Sequence, residues 1–459
     1  MDKRFPIEDQ IEMLAASLKG RVIGPQHADY DATRKVALAQ FDKKPAAVIR
    51  VGNAADVAAV LNFARATDLP LAIRSGGHST VGHSGTDGGL VIDLRDLNSI
   101  EIDAATETAW CGTGMTAGAV TDAVQVHGFI VGFGDSATVG IGGLTLGGGI
   151  GYLVRKHGLT IDSLLAAEVM TAAGDIVIAD ETSHPDLFWA LRGGGGNFGV
   201  VTRLKYKLHR LPAFTGGPLV LPANPDVVAA FAKAAEAAPD KLSTIAMMMT
   251  APPLPFLPPE VHGKLIFMCL MAYAGPAEDA QRALAPFRAL ATPLADLVGE
   301  APFSSMYIPE DPNMVPAVTM STMFADHVDR DDAARMIDLI NAHDAPVRAA
   351  QIRVLGGAMA RVPAEATAFA HRNARIMLSF MAMDFAPGAE QRSAEWISRC
   401  RLTMDYRATG GAYVNFLGGG DTNGVWAAYP PETLRRLRQV KRKYDPENLF
   451  RLNQNIVPA

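Results

Sequence analysis

The sequence predicts an α+β fold with a glycine-rich first part, a middle unit built on an antiparallel sheet and a last segment of different character. Three observations carry this. Residues 46–74 alternate a strand, an amphipathic helix and a strand; residues 208–409 hold long alternating runs separated by Ala-rich helices; and the last 50 residues return to a helix followed by a polar tail. At 459 residues the chain is well beyond a typical domain of about 100–150, so more than one compact unit is expected.

The elements follow in order. Ala46–Val51 reads as a strand, Ala54–Thr67 as a helix with Val57, Val60, Leu61 and Ala64 on one face, and Leu71–Arg74 as the next strand. Leu90–Leu94 and Thr108–Cys111 are short strands, and Thr116–His127 is a helix that Gly128 stops. Ser183-His184-Pro185-Asp186 opens a helix through Arg192, and Phe198–Tyr206 reads as a strand after it. The texture changes beyond residue 207, so the expected units are 1–207, 208–409 and 410–459. In the middle unit Lys264–Tyr273 and Ile376–Asp384 alternate as strands and Ala277–Leu290 reads as a helix, which predicts an antiparallel sheet with helices on one face. Met377, Met381 and Met383 point to one side of their strand and Ile376, Leu378, Phe380 and Ala382 to the other. The Met side is either a second core face or the wall of an adaptable apolar pocket. Pro430-Pro431 precede a helix with Leu434, Leu437 and Val440 on a stripe, stopped by Asp445-Pro446. Asn448, Asn453 and Asn455 in the tail serve as turn residues or hold a polar ligand.

Composition narrows the function. With 49% hydrophobic and 20% charged residues the chain is globular rather than disordered. Forty-two Lys and Arg against 48 Asp and Glu give a net charge of -6 without a basic run, so neither nucleic acid nor an anionic membrane is expected as a partner. Met1–Gly20 lacks the apolar core of a signal peptide, and nowhere do about 20 apolar residues follow one another. Cys111, Cys269 and Cys400 have no short spacing for a metal site or a disulfide framework, so no metal and a reduced, cytoplasmic setting are expected. The oligomeric state is not legible.

Glycine is in excess, and 19 of the 43 glycines fall between Gly76 and Gly151. The G-x-G-x-x-G match at Gly194, Gly196 and Gly199 lies between a helix and a strand. A dinucleotide fingerprint needs the opposite order, so a Rossmann domain is disfavoured. The chain has no G-x-S-x-G, H-E-x-x-H or Walker A motif. Two other loops remain: Arg74-Ser75-Gly76-Gly77-His78-Ser79 after a strand, and the run Gly134–Gly151. Such loops bring backbone N–H groups close to a ligand with no Cβ in the way and form concave anion nests, which suits a diphosphate.

These two loops, the stretch Phe188–Gly199 and the ending Tyr444-Asp445-Pro446-Glu447-Asn448-Leu449-Phe450 together resemble the FAD-linked oxidases of the berberine-bridge-enzyme type. The resemblance implies a PCMH-type FAD-binding domain in two parts, 1–207 and 410–459, around a substrate domain. It implies FAD contacts from Arg74, Ser75, Gly76, Gly77, His78, Ser79, Ser136, Thr138, Val139, Gly140, Gly142, Gly143, Gly149, Val200, Val201, Tyr413, Asn415, Asn453 and Asn455. His78 matches the histidine that the family bonds to the flavin 8α carbon. Ser136 stands where many relatives carry a second-link cysteine, so one covalent link is expected, as in the bacterial mono-covalent members. Val139 matches an oxygen gatekeeper position, which implies an oxidase making H2O2 from O2 rather than a dehydrogenase.

For the chemical step the resemblance offers Tyr413, in a Y-x-N motif with Asn415, as base or as a substrate-positioning residue; both are expected on one face of a strand. His371 is the second catalytic candidate, with a helix or loop cap as its alternative role. Residues 353–359 contain no carboxylate, so the acidic base of some plant members has no counterpart there. The Met-rich strands point to a moderately bulky, mostly apolar small-molecule substrate. A dehydrogenase or ring-forming tailoring enzyme, and a non-catalytic nucleotide-binding protein, are the alternatives.

Overall fold

The computed structural model describes residues 5–311, 314–385, 388, 390–418 and 424–459. The helix Ala54–Thr67 starts where the Asn53 side chain accepts the N–H of Asp56 at 2.9 Å and ends at Asp68, whose φ is 57°. Its Val57, Val60, Leu61 and Ala64 are buried against Ile49, Leu90 and Ile92 of a four-stranded sheet. That sheet runs in the order Arg21–Ile23, Ala47–Arg50, Leu90–Asp93, Leu71–Arg74; the last three strands are parallel and the first is antiparallel.

A five-stranded antiparallel sheet follows, in the order Ile100–Asp103, Thr108–Gly112, Val200–Lys207, Leu164–Met170, Ile176–Ala179. Its core holds Phe133, Phe188, Phe198 and Tyr206 together with Leu434, Leu437 and Val440 of the late helix Pro431–Tyr444. The end of the chain therefore packs into the core of its first half.

The largest sheet has eight strands, ordered Ala295–Asp296, Thr215–Pro222, Leu265–Tyr273, Leu242–Thr250, Val347–Val354, Ile376–Asp384, Ala317–Ala325, with Gly299–Glu300 pairing Thr215–Pro222. One face is covered by the helices Pro225–Ala237, Ala277–Arg288, Arg330–Asn341 and Glu390–Met404, and buries Leu378, Phe380 and Ala382. The other face carries the methionines. Met377 is buried with Ile150, Phe369 and Tyr413, while Met381 and Met383 are half-buried opposite Met320 and Val318 of the neighbouring strand. Mixed helix and antiparallel sheet is the α+β architecture expected. No helix among the described residues is long and apolar enough to cross a membrane.

One local expectation fails. Tyr413 and Asn415 do not lie on a strand; Val414–Phe416 is a 3-10 turn in which Phe416 N–H donates to the Tyr413 carbonyl at 2.9 Å. Gly410 and Gly411, with φ of 82° and 83°, break the extended run just before it.

Candidate cofactor and active site

The two glycine loops meet at Gly76 and Gly140. A Cβ on Gly76 would stand 2.2 Å from the Gly140 nitrogen, so neither position has room for a side chain. Ser75 Oγ ties the loops, donating to the Thr113 carbonyl at 2.5 Å and accepting from Gly142 N–H at 3.3 Å. Beside them lies a cavity of about 410 Å³ walled by stretches of 71–84, 134–150, 195–201, 413–416 and 450–454, with Leu38, Leu94 and Val318.

Most of the expected residues are brought together there. Ser75, Gly76, Gly77, His78, Ser79, Val139, Gly140, Gly142, Gly143, Val201, Tyr413, Asn415 and Asn453 line the cavity. Others stand behind its wall. Arg74 is buried, donating to Asp93 Oδ2 at 2.9 Å and to the Thr33 carbonyl at 2.8 Å, so it anchors the loop rather than reaching into the cavity. Gly149 N–H donates to the Tyr413 hydroxyl at 2.9 Å, and Val200 sits in the core beside the four-stranded sheet. Ser136 and Thr138 turn to Glu310, which accepts from their hydroxyls at 2.6 and 2.8 Å. Among the described residues, Asn455 Oδ1 is buried with no partner.

His371 is not part of that wall. Its Nε2 lies 3.1 and 2.9 Å from the carbonyl oxygens of Ala427 and Ala428, so Nε2–H donates to them, and its ring fills the space beside Gly411, where a Cβ would come within 2.4 Å of Cε1. A group of His327, Asp329 and Asp332 has ligand-like spacing, yet Arg407 already occupies it, donating to Asp332 at 2.8 Å and lying 2.6 Å from His327. Sequence reasoning missed Glu310, Gln454 and Phe416. Glu310 touches Thr138 across 172 residues of chain, and no local pattern marks such a contact.

The electrostatics separate the candidate groups. Tyr413 hydroxyl accepts from Gly149 N–H and from Asn415 Nδ2 at 3.0 Å, yet full burial outweighs both and raises its pKa above the usual phenol range. It therefore keeps its proton near neutral pH. Burial also lowers the pKa of half-buried His78, against an opposing pull from Glu310, so its imidazole is neutral and has a free lone pair.

Two family models match the chain: the FAD binding domain over residues 45–180, and the berberine and berberine-like model over 412–457. The chain belongs to the berberine-like FAD-linked oxidoreductases and is an enzyme of that class. Among individual proteins, it is 30% identical over 459 residues to the uncharacterized FAD-linked oxidoreductase YgaK of Bacillus subtilis, covering 97% of this chain and 98% of that protein. It is 29% identical over 452 residues to (R)-6-hydroxynicotine oxidase of Paenarthrobacter nicotinovorans, covering 96% and 97% of the two chains. The crystal structure of 6-hydroxy-D-nicotine oxidase from Arthrobacter nicotinovorans superposes with a TM-score of 0.86 at 27% identity, over 96% of this chain and 98% of that one.

The residues present fit FAD. The loops crowd out side chains where a cofactor must approach backbone, and the wall is apolar at Leu71, Ile73, Leu144 and Ile150. Asn453, on that wall, donates through Nδ2 to the Gly196 and Phe450 carbonyls while its Oδ1 is buried with no donor among the described residues. An acceptor left open on a ligand cavity suits a cofactor rich in hydroxyl and amino groups.

Proposed function

We propose that the chain is an FAD-dependent oxidase of a moderately bulky, largely apolar small molecule, with His78 holding the cofactor by a single covalent bond. The observation that carries this is the neutral, nucleophilic His78 on the same cavity wall as Tyr413 and Asn415. When bound, FAD supplies a two-electron acceptor that takes a hydride from a C–H next to an O–H or N–H group and passes the electrons to O2, giving H2O2. The protein's part is to hold and orient. Segments 1–207 and 410–459 serve the cofactor and 208–409 the substrate, a division supported by a cavity wall drawn from the first and last segments apart from Val318. Tyr413, protonated and fixed by two N–H donors, orients the group being oxidised rather than removing its proton. The half-buried Met381 and Met383 give the substrate side an adaptable apolar surface, and Val139 leaves room for O2 at the wall.

The test is anaerobic mixing of the yellow protein with a panel of alcohols, lactols, amines and reduced polyketides, followed by air. Bleaching by at least one compound and recovery of colour within seconds are expected. Recovery over minutes would make the enzyme a dehydrogenase, and colour lost on acid precipitation would remove the covalent bond.

A further inference from the structure

Four side chains form a chain of hydrogen bonds at the edge of the cavity. Glu310 comes from a loop of the middle segment and is exposed. Its Oε1 lies 2.6 Å from Ser136 Oγ and its Oε2 lies 2.8 Å from Thr138 Oγ1. Thr138 Oγ1 in turn lies 3.0 Å from Nε2 of His78. Counting protons fixes the direction of every bond. A carboxylate has none to give, so each hydroxyl must direct its single proton at Glu310. Thr138 then has only lone pairs left for His78, and the bond between them requires Nε2–H to be the donor. The imidazole is thereby held as the tautomer with its proton on Nε2 and its lone pair on Nδ1. The 3.1 Å approach of Ser136 Oγ to Thr138 Oγ1 holds no proton of its own.

We infer that Glu310, acting through Thr138, is a positioning residue for covalent attachment of the flavin at His78: it fixes the tautomer that makes Nδ1 the nucleophile and accepts the proton that Nε2 must release. The inference rests on the covalent reading of His78 given above. In the attachment Nδ1 uses its lone pair to bond the 8α carbon, and one hydrogen leaves that carbon as a proton. The Nε2 proton passes to Thr138 as the Thr138 proton passes to Glu310. The two electrons released end on O2, which leaves with two protons as H2O2. Ser136 thus has a use here that does not involve bonding the flavin: it holds Glu310 in place by the second carboxylate oxygen.

The test uses the full chain produced in a riboflavin-starved host and then given FAD, with two readouts. Filtration measures total FAD taken up, and the mass of acid-denatured chain measures FAD bonded. Glu310→Gln and Thr138→Val should take up FAD as the wild type does yet bond it about 10- to 100-fold more slowly, the usual loss when an orienting partner of a functional imidazole is removed. Thr138→Ser, which keeps the hydroxyl, should restore the rate. Wild-type bonding rates in both Glu310→Gln and Thr138→Val would overturn the inference, as would parallel loss of uptake and bonding in both, which marks a merely structural role. A wild-type chain that takes up FAD but never becomes acid-stable overturns the covalent reading itself, and this inference with it.

Discussion

Tyr413 and His78 show how burial divides labour between two groups on one wall. Burial disfavours the charged form of each, so the phenol stays protonated and the imidazole stays neutral. Replacing Tyr413 with phenylalanine removes the acceptor of Gly149 N–H and of one Asn415 Nδ2 proton, while the Asn415 amide keeps its bond to the Leu144 carbonyl at 3.0 Å. Tyr413→Phe is expected to cost about 1–3 kcal/mol of stability, read from denaturant midpoints. Flavin reduction should slow without losing a limb of its pH profile; a lost limb would mean that the phenol ionises in the working enzyme.

Among the elements, the short helix Val154–His157 and the strand His209–Arg210 bring two histidine rings face to face. Their centroids are 4.0 Å apart, and His209 Nε2 lies 2.9 Å from Ser163 Oγ. Burial first, then nearby positive charge, pushes His157 down to about 3 and His209 to about 4 from an ordinary 6.5. The unfolded chain therefore takes up protons that the folded chain refuses. Their contribution is intact above pH 6.5 and is lost as pH falls from 6.5 towards 4 and 3, by up to about 1.4 kcal/mol per pH unit for each ring. Urea midpoints measured from pH 7.5 to 4 should fall accordingly, and exchanging both histidines for phenylalanine should flatten the slope. Elements such as this pair also mark what the sequence could tell. Ala54–Thr67 and Ile376–Asp384 were legible because their apolar periods are long and unbroken, and the two glycine loops because their signal is local. The strand expected at Tyr413–Asn415 rested on alternation over three residues, too few to outweigh the two left-handed glycines before it. The residues it was meant to bring together still meet, through the Asn415 amide and the Tyr413 hydroxyl. The histidine stack, the Glu310 contact and the retreat of His371 from the cavity depend on segments far apart in the chain, which a periodic pattern cannot encode.

At the scale of the whole molecule, a buried ion pair of the last helix helps tie that helix to the first half of the chain through the Asn197 carbonyl. Lys441 Nζ donates to Asp445 Oδ2 at 2.6 Å and to the carbonyls of Asn197 and Phe450 at 2.8 and 2.9 Å, so all three of its protons are used. Asp445 also accepts from Leu449 N–H and Phe450 N–H at 2.8 and 2.9 Å, and both side chains are fully buried. Lys441→Met leaves the carboxylate charged and unpaired, at a cost of about 3–5 kcal/mol. Since Phe450, Leu452 and Asn453 are cavity wall, the variant should also release flavin that is not covalently held, measured as colour lost on desalting.

The same wall also sets an order of events in folding. Its last stones are residues 450–454 of a 459-residue chain, and they close against loops laid down near residues 76 and 195. Until residues 450–454 have docked against those loops the cavity lacks a side, so the wall is complete only once the late segment has folded back onto the early one. A ligand of this cavity therefore meets its finished wall only after the two distant parts of the chain have come together.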